Sequence, residues 1–238
     1  MLGAVATLGA QVGYEPARSP YRDLELTHEL SLLTGLYRAH HDPARVAPQS
    51  GPLLGIRYQW LVGGPANLTT EIARVGSERR VLDPELPGTC TGTAPADCKL
   101  IAVYRWPLYL ADVGLALNLT GARSFHGLVP ELRAGLGMVT DFHTRADVGD
   151  FAFGTRFAFS WGAGVRWLPH RSEFSRWLLG PVHQLRLDLG NRAYSVKYPE
   201  SYFTAAPDGS TIRPVFRKKA SWTNNAALTV GLSYLFGR

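Results

Sequence analysis

Residues 150–167 read DFAFGTRFAFSWGAGVRW, and their side chains sort cleanly by parity. Phe151, Phe153, Phe157, Phe159, Trp161, Val165 and Trp167 share one parity, whereas Ala152, Gly154, Arg156, Ala158, Ser160, Gly162, Gly164 and Arg166 share the other. Successive side chains of a strand point to opposite faces, so this is a ribbon with one large apolar face and one small, cationic face. A strand of a soluble sandwich would carry charges outward and aliphatics inward. Here the small residues and arginines suit the inside of a narrow barrel, and the aromatic wall suits contact with lipid. Reversing the faces would bury Arg156 in hydrocarbon at a cost of roughly 2–4 kcal/mol.

The same alternation recurs on both sides. Upstream, Leu24–Tyr37 sets Leu24, Leu26, Leu30, Leu32 and Leu36 outward, and Leu53–Val62 sets Leu54, Ile56, Tyr58, Trp60 and Val62 outward. Asn67 to about Val81 is less regular, because Arg74 falls on the lipid parity and must either snorkel or mark a bulge. From Cys98 to Leu119, Val113, Leu115 and Leu117 alternate well, but Arg105 breaks parity and Pro107 cannot donate to a ladder, which predicts a bulge. Phe125–Val139, the opening stretch, Trp177–Tyr194 and Ala220–Phe236 complete eight strands. Short connections at 63–66, 120–124 and 168–176 alternate with longer ones at 38–51, 82–97, 140–149 and 195–219. An even strand number with short turns at one end and long loops at the other is the pattern of a transmembrane barrel, short turns periplasmic and long loops extracellular. Most tryptophans and several tyrosines fall near strand ends, where interfacial girdles lie.

Bulk properties agree. The 238 residues are 45% hydrophobic and 18% charged, a composition of one folded domain. No apolar run reaches the eighteen or so residues of a spanning helix, so a membrane protein of this sequence must be a closed barrel. The net charge of +6 is carried by arginines spread singly along strands, which argues against a nucleic-acid stripe. Residues 1–10, MLGAVATLGA, read as the tail of a secretory signal with Leu8, Gly9 and Ala10 as a small-residue cleavage context, though no cationic segment precedes them. Residues 11–22 read as a proline-bearing periplasmic leader, and 23–238 as the barrel. Cys90 and Cys98, the only cysteines, suit a small-loop disulfide in an oxidising compartment; two unrelated thiols are the alternative. Two cysteines make no zinc site, and no cofactor is read.

On this whole-chain pattern the sequence resembles the small eight-stranded bacterial outer-membrane barrels, the group of outer-membrane proteins A, X and W. The last strand, AALTVGLSYLF, supports the resemblance, since its terminal aromatic Phe236 looks like the signal read by the barrel-assembly machinery; Gly237 and Arg238 after it depart from the pattern. The resemblance implies outer-membrane localisation and no particular activity.

Inward positions carry Arg57, Arg133, Arg156, Arg166 and Arg186 beside Glu29, Glu71, Asp112, Glu131 and Asp188, with Arg192 a further cation toward the outer lip. An eight-stranded barrel has room only for side chains, and buried charges persist when paired, so an interlocked ion-pair column filling the lumen is expected. That reading is a non-enzymatic envelope protein with interactive loops. The rivals are a narrow conduit with charges lining water, a lipid A-modifying enzyme, and a soluble ligand-binding barrel. His40, His41, Asp42, Asp141, His143, Asp147 and Asp150 are the loop residues suited to catalysis or metal, but their loops, 38–51 and 140–149, are expected on opposite sides of the barrel. His28, His126 and His183 fall near the periplasmic ends as interface anchors, and Ser160 has no histidine placed to activate it. Arg79, Arg80, Lys99, Arg217, Lys218 and Lys219 near the outer strand ends are candidate contacts to lipopolysaccharide phosphates, or ordinary solvated charge.

Overall fold

The computed structural model describes residues 19–24, 26–42, 46–82, 100–168, 183–199 and 220–237. The signal-like residues 1–10, most of the leader, Cys90 and Cys98 with their proposed bridge, and Lys99, Arg217, Lys218 and Lys219 lie outside the described residues.

The described strands are β1 (Tyr21–Asp23), β2 (His28–Arg38), β3 (Gly51–Gly63), β4 (Ala66–Val75), β5 (Glu78–Leu82), β6 (Leu100–Arg105), β7 (Leu108–Asn118), β8 (Arg123–Phe125), β9 (Leu128–Thr140), β10 (Thr155–Trp167), β11 (His183–Lys197) and β12 (Ala220–Phe236). Strands β2, β3, β4, β7, β9, β10, β11 and β12 pair antiparallel in that order, and β12 returns to pair with β2. The fold is a closed eight-stranded up-and-down barrel. Closure satisfies every ladder hydrogen bond within the wall, the condition for spanning hydrocarbon. Among the described residues no helix is long and apolar enough to cross a membrane.

The faces fall as the alternation predicts. Leu32, Leu54, Ile56, Val113, Leu136 and Leu187 are between 48% and 58% exposed, while Arg57, Arg166 and Arg186 are at most 5% exposed. Leucines outside and guanidinium groups inside are the reverse of a water-soluble barrel. At the short-turn end, His28 Nδ1 lies 2.7 Å from the Tyr58 hydroxyl and its ring stacks near Trp60 and Phe236, forming one aromatic anchor.

The structure departs from the sequence reading where backbone geometry interrupts a ladder. The strand expected over 67–81 divides after Val75, because β5 leaves the barrel to pair with β6 as a separate hairpin. Its return limb ends at Arg105, and the ladder resumes only beyond Pro107, which has no N–H to donate. Arg74 marks no bulge: β4 keeps unbroken register with β7 from Ala66 to Val75, so its side chain points outward and is exposed. The leader is not wholly irregular either, since β1 pairs with β8, Tyr21 facing Phe125.

The largest departure lies in the opening stretch itself. β10 begins at Thr155, and Asp150 and Gly154 both take positive φ, 61° and 62°. Between these two left-handed residues Phe151 and Phe153 swing inward and are completely buried, whereas Phe157 and Phe159 face lipid as expected. Asp147 stabilises the turn by accepting the N–H groups of Gly149 (2.8 Å) and Phe151 (3.1 Å) through Oδ1. The parity of the sequence runs straight through a reversal of the chain.

Candidate functional site

Inward residues of all eight barrel strands meet in the lumen. Arg186 on β11 is at its centre, bonded to Glu29 of β2 and Glu131 of β9, with its Nε 3.0 Å from Asp188 Oδ2. Toward the short-turn end, Arg166 donates to Glu29 (2.9 Å) and to Asn118 Oδ1 (2.5 Å), and Ser31 ties Glu29 to Ser233 at 2.8 Å on each side. Toward the loops, Arg57 bridges Asp188 (2.9 Å) and Glu71 (2.8 Å through Nε), and Arg192 bridges Glu71 (2.5 Å) and Asp112 (2.7 Å through Nε). Charge-assisted bonds to partners on several strands satisfy most of these buried groups.

Room for such long side chains comes from glycine elsewhere on the wall. A Cβ at Gly137 would lie 2.0 Å from the Ala111 carbonyl oxygen and 2.5 Å from Asp112 Oδ1, and one at Gly164 would lie 2.1 Å from Asp188 Oδ1. The long ions and the glycines are therefore two halves of one packing solution.

Two arginines exchange the places expected for them. Arg156 makes no ion pair among the described residues; its Nη2 donates to the Ala152 carbonyl at 3.3 Å and its guanidinium lies 5.9 Å from the Phe153 ring. Arg192, expected near the lip, sits inside the network. Arg133 is the most loosely held of the five that face the acids, 3.4 Å from Asp188, 3.6 Å from Glu131 and 3.8 Å from Glu71. Beside it lies a cavity of about 50 Å³ whose walls include Asp112, Gly114, Gly135, Ser160 and Gly190.

Above the charges the lumen turns apolar, which the parity reading missed. Tyr37, Leu53, Val75, Leu108, Leu110 and Val139 point inward and are essentially inaccessible, with the Tyr37 hydroxyl 3.3 Å from that of Tyr194 at the boundary. Phe151, Phe153, Val46, Ala47 and Tyr198 from three loops complete this core. The signal was present, in the aliphatics at inward parity near the loop ends of β3, β4 and β7.

The loops meet rather than standing apart. The Tyr198 hydroxyl donates to Asp42 Oδ2 at 2.9 Å, the N–H of Ala47 donates to Asp42 Oδ1 at 3.0 Å, and the Tyr198 ring lies 6.4 Å from Phe151. Arg79, expected as an outward contact for phosphate, is 1% exposed and turned into this assembly. It pairs with Asp147 at 3.0 Å, donates to the Phe151 carbonyl at 3.2 Å, and lies 4.1 Å over Trp106, which also stacks with His143 at 4.2 Å and Tyr104 at 5.5 Å. Burial of the hairpin against 140–154 claims that guanidinium; Arg80 stays half-buried, and the exposed cations of the barrel wall are Arg38, Arg74 and Lys197.

The loop histidines and acids are employed in this scaffold. His40 donates its N–H to Asn225 Oδ1 (3.0 Å), His143 holds Asp141 through two contacts, and Asp150 forms the turn. His41 is exposed. Among the described residues no group of three or more His, Cys, Asp or Glu could hold a metal ion. His126 takes a positive φ of 50° in the turn before β9, its ring edge-on to Phe125.

No protein-family model matches the chain, and no curated protein matches it. Solved structures similar to it include Neisserial surface protein A, at 11% identity and a TM-score of 0.46 over 88% of this chain and 97% of that one. The N-terminal barrel domain of Pseudomonas aeruginosa OprF is similar at 11% identity and a TM-score of 0.44, over 87% of this chain and 97% of that one. Ail of Yersinia pestis, solved with the heparin analogue sucrose octasulfate, shares 12% identity at a TM-score of 0.42, over 90% of this chain and all of that one.

Proposed function

We propose that this protein is a non-enzymatic barrel of the bacterial outer membrane whose lumen is closed, and that it braces the envelope and presents a joined set of loops outside. The apolar belt and the aromatic ends support the location. The observation that carries closure is the cross-lumen bonding of Arg186 to Glu29, Glu131 and Asp188, with a second, apolar layer above it. Two dissimilar layers in series oppose both ions, which the upper layer repels, and hydrophobic solutes, which the lower one repels. Exposed Arg38, Arg74 and Lys197 are suited to the phosphates of outer-leaflet lipopolysaccharide, and the C-terminal strand to the assembly machinery. Single-channel recording in planar bilayers tests closure: no sustained stepwise current is expected, and stable currents would make the protein a narrow conduit instead. Unchanged lipid A mass spectra in expressing and deletion cells are expected, against a lipid-modifying enzyme.

A further inference from the structure

Four residues, 24–27, connect β1 to β2, and they join opposite sides of the ring. β2 begins at His28 in the wall, whereas β1 pairs with β8, which lies in the turn between β7 and β9. Going round the wall from β2 to that turn passes β3 and β4 one way and β12, β11 and β10 the other. Eight strands about 4.8 Å apart and tilted by about 40° make a ring roughly 50 Å round and roughly 16 Å across. The steps of chain from Asp23 to His28 reach about 18 Å at full extension, enough for the diameter but short of the roughly 22 Å along the rim. The chain therefore crosses the short-turn mouth of the barrel.

Both ends of the crossing are fastened. On the near side the Leu61 N–H donates to the Thr27 carbonyl at 2.8 Å. On the far side Tyr21, Arg22 and Asp23 pair with Phe125, Ser124 and Arg123, the His126 N–H donates to the Pro20 carbonyl at 2.8 Å, and the Leu24 N–H donates to the Ala122 carbonyl at 2.9 Å. The Tyr21 and Phe125 rings lie 5.3 Å apart. The Arg123–Asp23 ion pair, 2.9 Å long, has side chains 62% and 75% exposed, so it adds little and the backbone ladder does the holding. Gln184, Ser233 and Val129 occupy inward positions within four residues of the short-turn ends of their strands, yet none is more than 1% exposed. Leu24 and Leu26, in the crossing itself, are half-buried.

We infer that the segment ahead of β2 is a strap that bars the periplasmic mouth of the lumen and is latched on the far rim by the β1–β8 ladder. A three-residue ladder in water opens far more readily than the wall strands do, so the strap is a releasable element on a fixed ring. It goes beyond closure by the ionic and apolar layers, because it bars the lumen at the opposite end from the loops.

The position of the strap is read by cross-linking the full chain in detergent micelles, with Cys90 and Cys98 replaced by serine. Residues opposite one another in an antiparallel ladder lie about 4.5–5.5 Å apart, within disulfide reach. Tyr21→Cys with Phe125→Cys is expected to give at least ten-fold more disulfide than Tyr21→Cys with Val62→Cys, which stands on the near side of the ring. Equal yields would overturn the strap, whether or not the lumen conducts. Its action as a seal is read at Ser233→Cys in the same background, using the rate of labelling by a sulfonate-bearing methanethiosulfonate. Asp23→Arg with Leu24→Pro unlatches the strap, setting like charges opposite each other and removing the N–H that Ala122 accepts. Both positions lie outside the wall, and heat-modifiable mobility in gels reports that the barrel is retained. Labelling is expected to be at least ten-fold faster in the unlatched variant. Equal slow rates would overturn the seal and leave closure from the loop end standing; equal fast rates would overturn both.

Discussion

Arg57 Nη1 donates to Asp188 Oδ2 at 2.9 Å, and the two residues stand on β3 and β11, with β2 and β12 between them in the wall. The bond therefore crosses the lumen and fastens strands that no ladder joins. Arg57→Ala leaves the buried carboxylates of Asp188 and Glu71 each short of a cation, and is expected to cost about 3–5 kcal/mol. Urea unfolding in micelles followed by tryptophan fluorescence measures it. A cost below about 1 kcal/mol would mean that water already reaches these charges.

Phe153 and Phe157 share parity but face opposite environments, one in the loop-covered core and one in lipid. Phe153→Ala leaves a hole that neighbours cannot close and is expected to cost about 3–5 kcal/mol. Phe157→Ala loses transfer energy only, because acyl chains flow into the gap, so its cost is smaller. Paired unfolding curves decide; a larger loss at Phe157 would contradict the inward turn between Asp150 and Gly154.

Arg79 fastens the β5–β6 hairpin to residues 140–154 through Asp147, the Phe151 carbonyl and the Trp106 ring. Arg79→Ala removes a desolvated cation–π contact and an ion pair, about 2 kcal/mol or more together. Arg145 in that loop is exposed. Trypsin cleavage after Arg145 is expected to accelerate at least ten-fold as the open fraction rises. Arg79→Lys should restore little, since a point charge cannot keep the stacked geometry. An unchanged cleavage rate in Arg79→Ala would show that the apolar core alone holds the loops.

Gly137→Ala would drive a methyl group against the Ala111 carbonyl and Asp112, whereas Gly63 has nothing within 4 Å of a Cβ. The first is expected to destabilise by about 1–3 kcal/mol and the second to lie near zero. Equal midpoints for the two variants in urea would show that the wall relaxes around the added group.

The wall was legible because lipid imposes a period of two on its strands; Leu228, Val230, Leu232, Tyr234 and Phe236 face outward as their parity reads. The ionic layer was legible for the same reason, since Glu29, Arg57 and Arg186 are conspicuous at inward parity. What parity could not reveal was where the ladder stops. Asp150 carries a non-glycine side chain into a left-handed turn, so Phe151 and Phe153 continue the lipid-facing row on paper and leave it in space. Nor could one-dimensional pattern bring Asp42 to Tyr198, or tell Arg79 from a surface cation, because those placements depend on loops folding over one another.

Ring closure carries a last consequence for biogenesis. β2 and β12 are the first and last strands of the wall, and they join through eleven register pairs, from Ala226↔Arg38 to Phe236↔His28. A ribosome-bound or truncated chain that lacks β12 would hold two bare peptide edges that no acyl chain can solvate. The seam between the first and last wall strands is therefore the step at which the ring's exposed edges disappear, and it needs the C-terminal strand in place.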